Sequence, residues 1–524
     1  MRRTVTLLSS ALFVLAAVMA HPGSAQSLLK DLIPGAHPAS LSPEQYTDVN
    51  GTMFFLARTG NPANHQIWKS DGTAEGTVKV KDSIAITNLG GVVTFQTHMN
   101  GFLYYTVSTN PAVSSQLWKT DGFVTAQVEN FTYQNGKGIS PKNFIATGNK
   151  LFFQMAINNG LELWVTDGTE AGSREVINLD PGTSNGVQYN GTQEATMIAY
   201  KDRVYFAGET SLSNYELFAS DGTAAGTLLV KELAAGTFKQ GAPGNWKIYN
   251  NELYFTGSDG TRSSLWKTDG TTTTQLTTTV SAGSMVIFKK ALYFIAGIDL
   301  WKTDGTIPGT VFVYDSAIVS GFSGATEDYL YTSFARFKPV APYYDYFYYK
   351  TDGTTAGTHP VSYEEFNRSS FLLLGNKMYK ALVENATNYT STLWASEGSS
   401  VGAKIVTGYV GYPFIFKDKV YFSNHETATG YELWVYDPSA PVTGSEEIKL
   451  SKGLDIYPNP SSGLFTIRDT DNRQIEYAVY TLRGEKVQEI SETTSIDLTN
   501  EPKGFYFVNI KTGSGNYTKK ILVH

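Results

Sequence analysis

One phrase recurs nine times along this chain, and it limits the possible folds more than any other feature. Its fullest copy runs Glu162-Leu163-Trp164-Val165-Thr166-Asp167-Gly168-Thr169-Glu170-Ala171-Gly172-Ser173. The pattern E-L-W-x-[ST]-D-G-T-x-x-G-[ST] places an acidic residue at Asp71, Asp121, Asp167, Asp221, Asp269, Asp304, Asp352, Glu397 and Asp437. The steps between them are 50, 46, 54, 48, 35, 48, 45 and 40 residues, a mean of about 46. A period of that length marks a repeat architecture, and a propeller is the best match.

A second phrase precedes each copy, as in Met53-Phe54-Phe55, Leu103-Tyr104-Tyr105, Val204-Tyr205-Phe206 and Val420-Tyr421-Phe422. Just before it stands a polar turn, such as Asn50-Gly51, Asn100-Gly101 or Asn250-Asn251, and before that another apolar run. A fourth run, such as Leu228-Leu229-Val230, follows the Asp-Gly turn. Each unit therefore reads as four short antiparallel strands, A to D. The A–B and C–D links are tight, built from residues that tolerate positive φ. Consecutive apolar residues within a strand fit sheets buried on both faces, as blades are. Phe and Tyr together number 61, which favours strands throughout.

Seven of the eight Trp occupy the motif: Trp68, Trp118, Trp164, Trp266, Trp301, Trp394 and Trp434, with Phe218 and Tyr349 in the other two slots. A large aromatic at one repeated position reads as packing between blades rather than a row of ligand-stacking rings. The motif carboxylates of Asp71, Asp121, Asp167, Asp221, Asp269, Asp304 and Asp352 read as turn residues that accept backbone N–H groups two residues on. A calcium loop needs D-x-D-x-D-G spacing, which is absent. The seven His are scattered without metal-ligand spacing, so no metal or other cofactor is expected.

The ends of the array fit each other. The ninth unit stops after Trp434-Val435-Tyr436-Asp437-Pro438 with no D strand behind it. Leu28-Leu29-Lys30-Asp31-Leu32-Ile33-Pro34-Gly35 resembles the D strand Leu229-Val230-Lys231-Glu232-Leu233-Ala234-Ala235-Gly236. The N-terminal segment is therefore expected to complete the last blade and close the ring, removing an exposed sheet edge. The expected fold is all-β, a propeller of about nine four-stranded blades over residues 27–437. Eight blades is the alternative, because unit six is short and unit seven reads Tyr348-Tyr349-Lys350-Thr351-Asp352.

Residues 1–25 read as an export signal: Arg2 and Arg3, an apolar run from Leu7 to Ala20, then Gly23-Ser24-Ala25 for cleavage. The chain has no Cys, so disulfides contribute nothing to its stability. A net charge of −7 without a basic block argues against nucleic acid as a partner and against an anionic membrane surface.

Residues 438–452 read as a linker, and composition changes beyond it. Residues 453–524 carry strand-like runs punctuated by turns, which predict a small Ig-like β-sandwich. Four segments there carry a resemblance: Leu454-Asp455-Ile456-Tyr457-Pro458-Asn459-Pro460, then Val479-Tyr480-Thr481-Leu482-Arg483-Gly484-Glu485-Lys486-Val487, then Lys503-Gly504-Phe505-Tyr506-Phe507-Val508, then Lys519-Lys520-Ile521-Leu522-Val523-His524. This tail resembles the type A C-terminal sorting domain of the type IX secretion system. The resemblance implies a Gram-negative source and recognition by the type IX secretion machinery. It also implies passage through the periplasm, and release or attachment to surface lipopolysaccharide. The upstream array resembles the ELWxTDGTxxGT repeat proteins that carry such tails.

Three functions compete on these residues. A non-catalytic binding or adhesion scaffold for glycan or protein would use the variable B–C links, which include Ala156 to Gly160, Gly208 to Asn214 and the longer Ser333 to Tyr344. A glycan hydrolase or lyase at the propeller mouth would need paired carboxylates. The candidates Glu364-Glu365 and Glu446-Glu447 are neighbours in sequence, which points them apart on a strand, and the second pair lies in the linker. A purely structural coat component is the third reading, and the sequence does not separate it from the first. For ligand binding, Arg336, Lys338, Tyr343 and Tyr344 stand out, since exposed aromatics beside basic groups suit sugars or acidic ligands.

Overall fold

The computed structural model describes residues 25–32, 43–59, 64–80, 92–110, 114–132, 141–157, 160–179, 185–188, 196–211, 214–235, 240–278, 280–315, 319–337, 344–361, 371–385, 390–396, 403–426, 430–440, 454–469, 475–481, 486–491, 494–512 and 515–524. Residues 1–24 of the expected signal, most of the linker and the pairs Glu364-Glu365 and Glu446-Glu447 lie outside them.

Residues 26–438 form one compact unit containing nine four-stranded antiparallel sheets. Sheet three is typical, with strands Lys142–Thr147, Lys150–Ile157, Gly160–Thr166 and Arg174–Ile177 paired in chain order. Units six and seven each supply a full sheet, so the described residues form nine sheets there rather than eight. The fold is a β-propeller followed by a second β unit. The ninth sheet takes its outer strand from the N-terminal segment: Gln26–Lys30 pairs antiparallel with Gly430–Tyr436, with Leu28 opposite Trp434.

Turn chemistry explains the hairpins. Asn50 and Gly51 have φ of 52° and 81°, as do Asn100 and Gly101, and the flanking residues pair directly. Two successive positive φ values match the right-handed twist of the strands they join. Lys289 and Lys290 adopt the same geometry at 44° and 58°, although lysine offers no special tolerance of it.

The A strands of neighbouring sheets touch each other from Glu44–Val49 through Val92–Met99 to Val319–Ala325, and again from Leu372–Leu374 to Gly411–Phe416, which meets Glu44–Val49. They form the inner edge of the array. At the step from sheet seven to eight, Tyr331 and Phe371 pack edge to face at 5.9 Å. Between sheets lie apolar clusters built from two blades each. Met99, Tyr104 and Leu117 of sheet two meet Leu151, Phe153 and Met155 of sheet three. Sheet nine meets sheet one in the same way, through Phe416, Tyr421 and Leu433 against Met53, Phe55 and Trp68, with Leu32 in the same cluster.

Polar joints accompany several of the apolar ones. The ammonium of Lys119 in sheet two donates to the carbonyl of Gly168 in sheet three at 2.8 Å. Lys201 donates to the backbone carbonyl of Asp269 in the next sheet at 2.8 Å, and Lys417 of sheet nine donates to the backbone carbonyl of Asp71 in sheet one at 2.9 Å. The tyrosine of the second phrase reaches the same turn. A Cβ on Gly72, whose φ is 97°, would stand 2.9 Å from the Tyr421 hydroxyl. Both φ and space therefore demand glycine after the motif Asp. The two recurring phrases are two halves of one contact between adjacent blades.

The C-terminal unit has two sheets. Leu454–Tyr457, Leu464–Asp469 and Ser495–Asp497 form one; Lys486–Ser491, Ile475–Thr481, Gly504–Thr512 and Gly515–Val523 form the other. Ile456, Phe465, Ile467 and Ile496 of the first pack on Tyr477, Val479, Val508 and Ile521 of the second, giving a sandwich with its own core.

Candidate functional site

The motif turn is occupied by its own structure. The Asp167 carboxylate accepts the N–H of Thr169 at 2.9 Å and its hydroxyl at 2.7 Å, and that hydroxyl accepts Gly172 N–H at 3.0 Å. A Cβ on Gly172 would fall inside the Asp167 carboxylate, which accounts for the second glycine. Thr166 accepts Gly168 N–H at 2.9 Å and receives the Ser173 hydroxyl at 2.8 Å, so the first and last hydroxyls of the motif clasp each other. Ser70 and Thr77, Ser220 and Thr227, and Thr303 and Thr310 repeat the clasp at 2.7–2.8 Å. Asp71, Asp121, Asp167, Asp221, Asp269, Asp304 and Asp352 each accept the N–H two residues on at 2.7–2.9 Å. The Thr169 hydroxyl, more than any other cause, holds the Asp167 carboxyl below the usual carboxylate range. No group of three or more metal-ligating side chains occurs among the described residues.

The motif Trp residues stand opposite the last residue of the second phrase. Trp68 pairs with Phe55, Trp164 with Phe153, Trp266 with Phe255, Trp301 with Phe294 and Trp434 with Phe422. Trp68, Trp266 and Trp434 are buried, whereas Trp118, Trp164, Trp301 and Trp394 are half-buried. Trp266 is held most completely: it is 6% exposed and its indole N–H donates to the Gly257 carbonyl at 2.9 Å. Trp266→Ala is expected to cost about 3–5 kcal/mol by loss of burial and cavity formation, measured by denaturant unfolding of the propeller. Trp164→Ala should cost less. In sheet eight the partner of Trp394 is Lys380, in the slot that Phe or Tyr fills opposite the other motif Trp residues. Burial pushes its ammonium down to about 8.

The motif Glu has a role the sequence did not disclose. Glu216 is buried and accepts the N–H of Leu233, just beyond its own D strand, at 2.5 Å. Glu162 accepts the N–H of Leu179 at 3.3 Å and of Gly186 at 3.1 Å. Glu432 accepts the N–H of Leu32 at 2.6 Å, across 400 residues of sequence. Burial raises the Glu432 carboxyl to about 8, with Asp31 adding to the rise and the Leu32 bond opposing it. These carboxylates fasten the D–A links.

The four predicted ligand residues are placed as follows. Arg336 lies on strand Leu330–Phe337 opposite Asp345, and Tyr344 opens strand Tyr344–Thr351 opposite Phe337. The link expected from Ser333 to Tyr344 therefore shortens, because backbone pairing continues through Phe337. Lys338 and Tyr343 lie outside the described residues.

A cavity of about 430 Å³ opens on the inner edge across sheets four to six. Gln188, Thr196, Asn245, Trp246, Lys247 and Ser284 line it. Residues 186–188 extend the A position of sheet four: Val187 bridges Gly208, and Gln188 N–H donates to Ala207 at 2.9 Å. The A strands of sheets five and six are bulged, between Gly244 and Lys247 and between Ala282 and Met285. Bulges re-aim side chains, and these bring Asn245 and Ser284 to the cavity.

In the C-terminal unit the Tyr-Pro-Asn-Pro segment grips the last strand. Asn459 accepts Leu522 N–H and donates to the Lys520 carbonyl, both at 2.9 Å, while Ser461 N–H donates to the Leu522 carbonyl at 3.0 Å. Two distant sequence landmarks thus form one structural element.

No curated protein matches the sequence. Among solved structures, the chain is similar to a prolyl endopeptidase at 13% identity, covering 68% of this chain and 54% of that one, with a TM-score of 0.35. It is also similar to the extracellular domain of a putative one-component system from B. thetaiotaomicron, at 9% identity, 93% and 75% coverage and a TM-score of 0.29. A third is the β-propeller domain of the Trilobed protease from Pyrococcus furiosus, at 10% identity, 62% and 98% coverage and a TM-score of 0.29. None of these likenesses carries an activity to this chain. Residues 455–524 match the family of secretion system C-terminal sorting domains. The tail is a type IX sorting domain, and the propeller it follows is carried to the cell surface or the extracellular space.

Proposed function

We propose that the exported propeller is a non-catalytic scaffold that binds glycan or protein outside the cell. The observation that supports this most is the saturation of the motif: its carboxylates and hydroxyls are spent on turns, which leaves the repeat as framework and the links as the variable surface. On this reading residues 1–25 are the export signal, 27–437 the scaffold, 438–452 a linker and 453–524 the sorting domain. The source is a Gram-negative bacterium, and the mature protein is released or attached to surface lipopolysaccharide.

A glycan and protein array probed with the propeller, run beside a glycan hydrolase and lyase panel, tests the reading. A selective binder without turnover is the expected result; turnover of a glycan would replace the scaffold with an enzyme. For the captured ligand, Arg336→Ala and Tyr344→Ala are expected to weaken binding while changing stability by less than about 0.5 kcal/mol. Normal binding by both variants would place the contact surface away from sheet seven.

A further inference from the structure

The cavity on the inner edge has a definite chemistry. Among the described residues it is lined by neutral hydrogen-bonding side chains from Gln188, Thr196, Asn245, Thr256 and Ser284, by the indole of Trp246, and by the ammonium of Lys247, with no carboxylate among them. Two polar atoms of lining residues, Thr196 Oγ1 and Trp246 Nε1, are buried without a hydrogen-bond partner. Buried groups of this kind are costly unless a ligand or water satisfies them. Trp246 is 7% exposed and rests on Phe255 at 5.6 Å, so its position is fixed. Asn245 has a φ of 51° and donates from its amide nitrogen to Thr256 Oγ1 at 3.0 Å, which leaves the amide oxygen to serve as an acceptor. The volume falls within the roughly 300–1,000 Å³ of small-molecule sites.

We infer that this cavity binds a single saccharide unit bearing a carboxylate. The lining amides and hydroxyls match sugar hydroxyls, and Lys247 matches one acidic group. Among the described residues the lining offers one cation, where a phosphate would call for several or for a cluster of N–H groups, and no carboxylate of the kind a metal would call for. The inference rests on the scaffold reading and gives it a ligand class and a location.

Isothermal titration of the exported chain with glucuronic acid, galacturonic acid and glucose tests it. A uronic acid should bind at least about ten-fold more tightly than glucose, since a hydrogen bond to a charged group contributes about 1.5–3 kcal/mol. Lys247→Met should bring the uronic acid down to the level of glucose, and Lys247→Arg should retain the preference. Ser284→Phe, at an exposed rim position, should remove binding of both with an unchanged melting temperature. Absence of heat with every sugar overturns the inference, as does a uronic acid affinity that Lys247→Met leaves unaltered. If an array ligand binds the chain and both Lys247→Met and Ser284→Phe bind it normally, the scaffold stands and the saccharide site falls. If the array yields no ligand, the scaffold reading itself fails.

Discussion

Removal of residues 455–524 is expected to abolish display and release, leaving the protein in the periplasm. The sorting unit builds its core from its own strands, with Phe465, Tyr477, Val508 and Ile521 at its centre. Deleting it therefore removes an address and not a support, and the melting temperature of the remaining propeller should not move. Fractionation with protease shaving of intact cells reads the outcome. Asn459→Ala is the finer version, because it cuts both bonds to the final strand at Leu522 and Lys520. It should lower export without touching the propeller. Undiminished surface display of the full truncation would refute a sorting role for this tail.

Deleting Gln26 to Leu32 should cost the propeller more than any single core substitution. The ninth sheet loses its outer strand, Leu32 leaves a shared core cluster, and Glu432 loses the N–H it accepts. Leu32→Ala alone should cost about 2–5 kcal/mol, and the full deletion should also aggregate through the exposed strand Gly430–Tyr436. Light scattering and thermal unfolding measure both effects. The contact also has a pH signature. The Glu432 carboxyl has its folded pKa raised to about 8, so its stabilisation is complete below the ordinary carboxyl pKa and is lost as pH rises through about 8. Glu432→Gln keeps an acceptor for Leu32 and should flatten the fall in stability between those limits. A deletion variant that melts like the full chain would show that the N-terminal strand is dispensable.

The strands and their order were legible because the sequence repeats them nine times, so a weak pattern in one unit is corrected by the others. Turn residues were legible where Asn and Gly signal positive φ, and illegible at Lys289-Lys290. There the hairpin register, with Phe288 opposite Ala291, imposes a geometry that the residue type does not prefer. The extent of pairing beyond Ser333 was hidden because a ladder is held by backbone groups, which every residue carries. The clamp made by Glu162, Glu216 and Glu432 was hidden because its donors are backbone N–H groups, although all three belong to a leucine, Leu179, Leu233 and Leu32, that stands three residues before a glycine. The cavity left one trace: Trp246 is the Trp that falls outside the motif, in the unit that follows the 54-residue step. Nothing in the sequence joined it to Ser284, because bulges in two separate sheets bring them together.

The pairing of Leu28 with Trp434 sets a clock as well as a contact. The strand synthesised first must wait for the strand synthesised near the end. Eight sheets can form behind the advancing chain from local hairpins, but the ninth is two-part and needs both ends of the array together. Until then its three contiguous strands present an open edge and the first strand has no partner. Commitment to the finished propeller therefore coincides with arrival of the segment that leads into the sorting unit. A chain stalled short of that point lacks both its last pairing and its address.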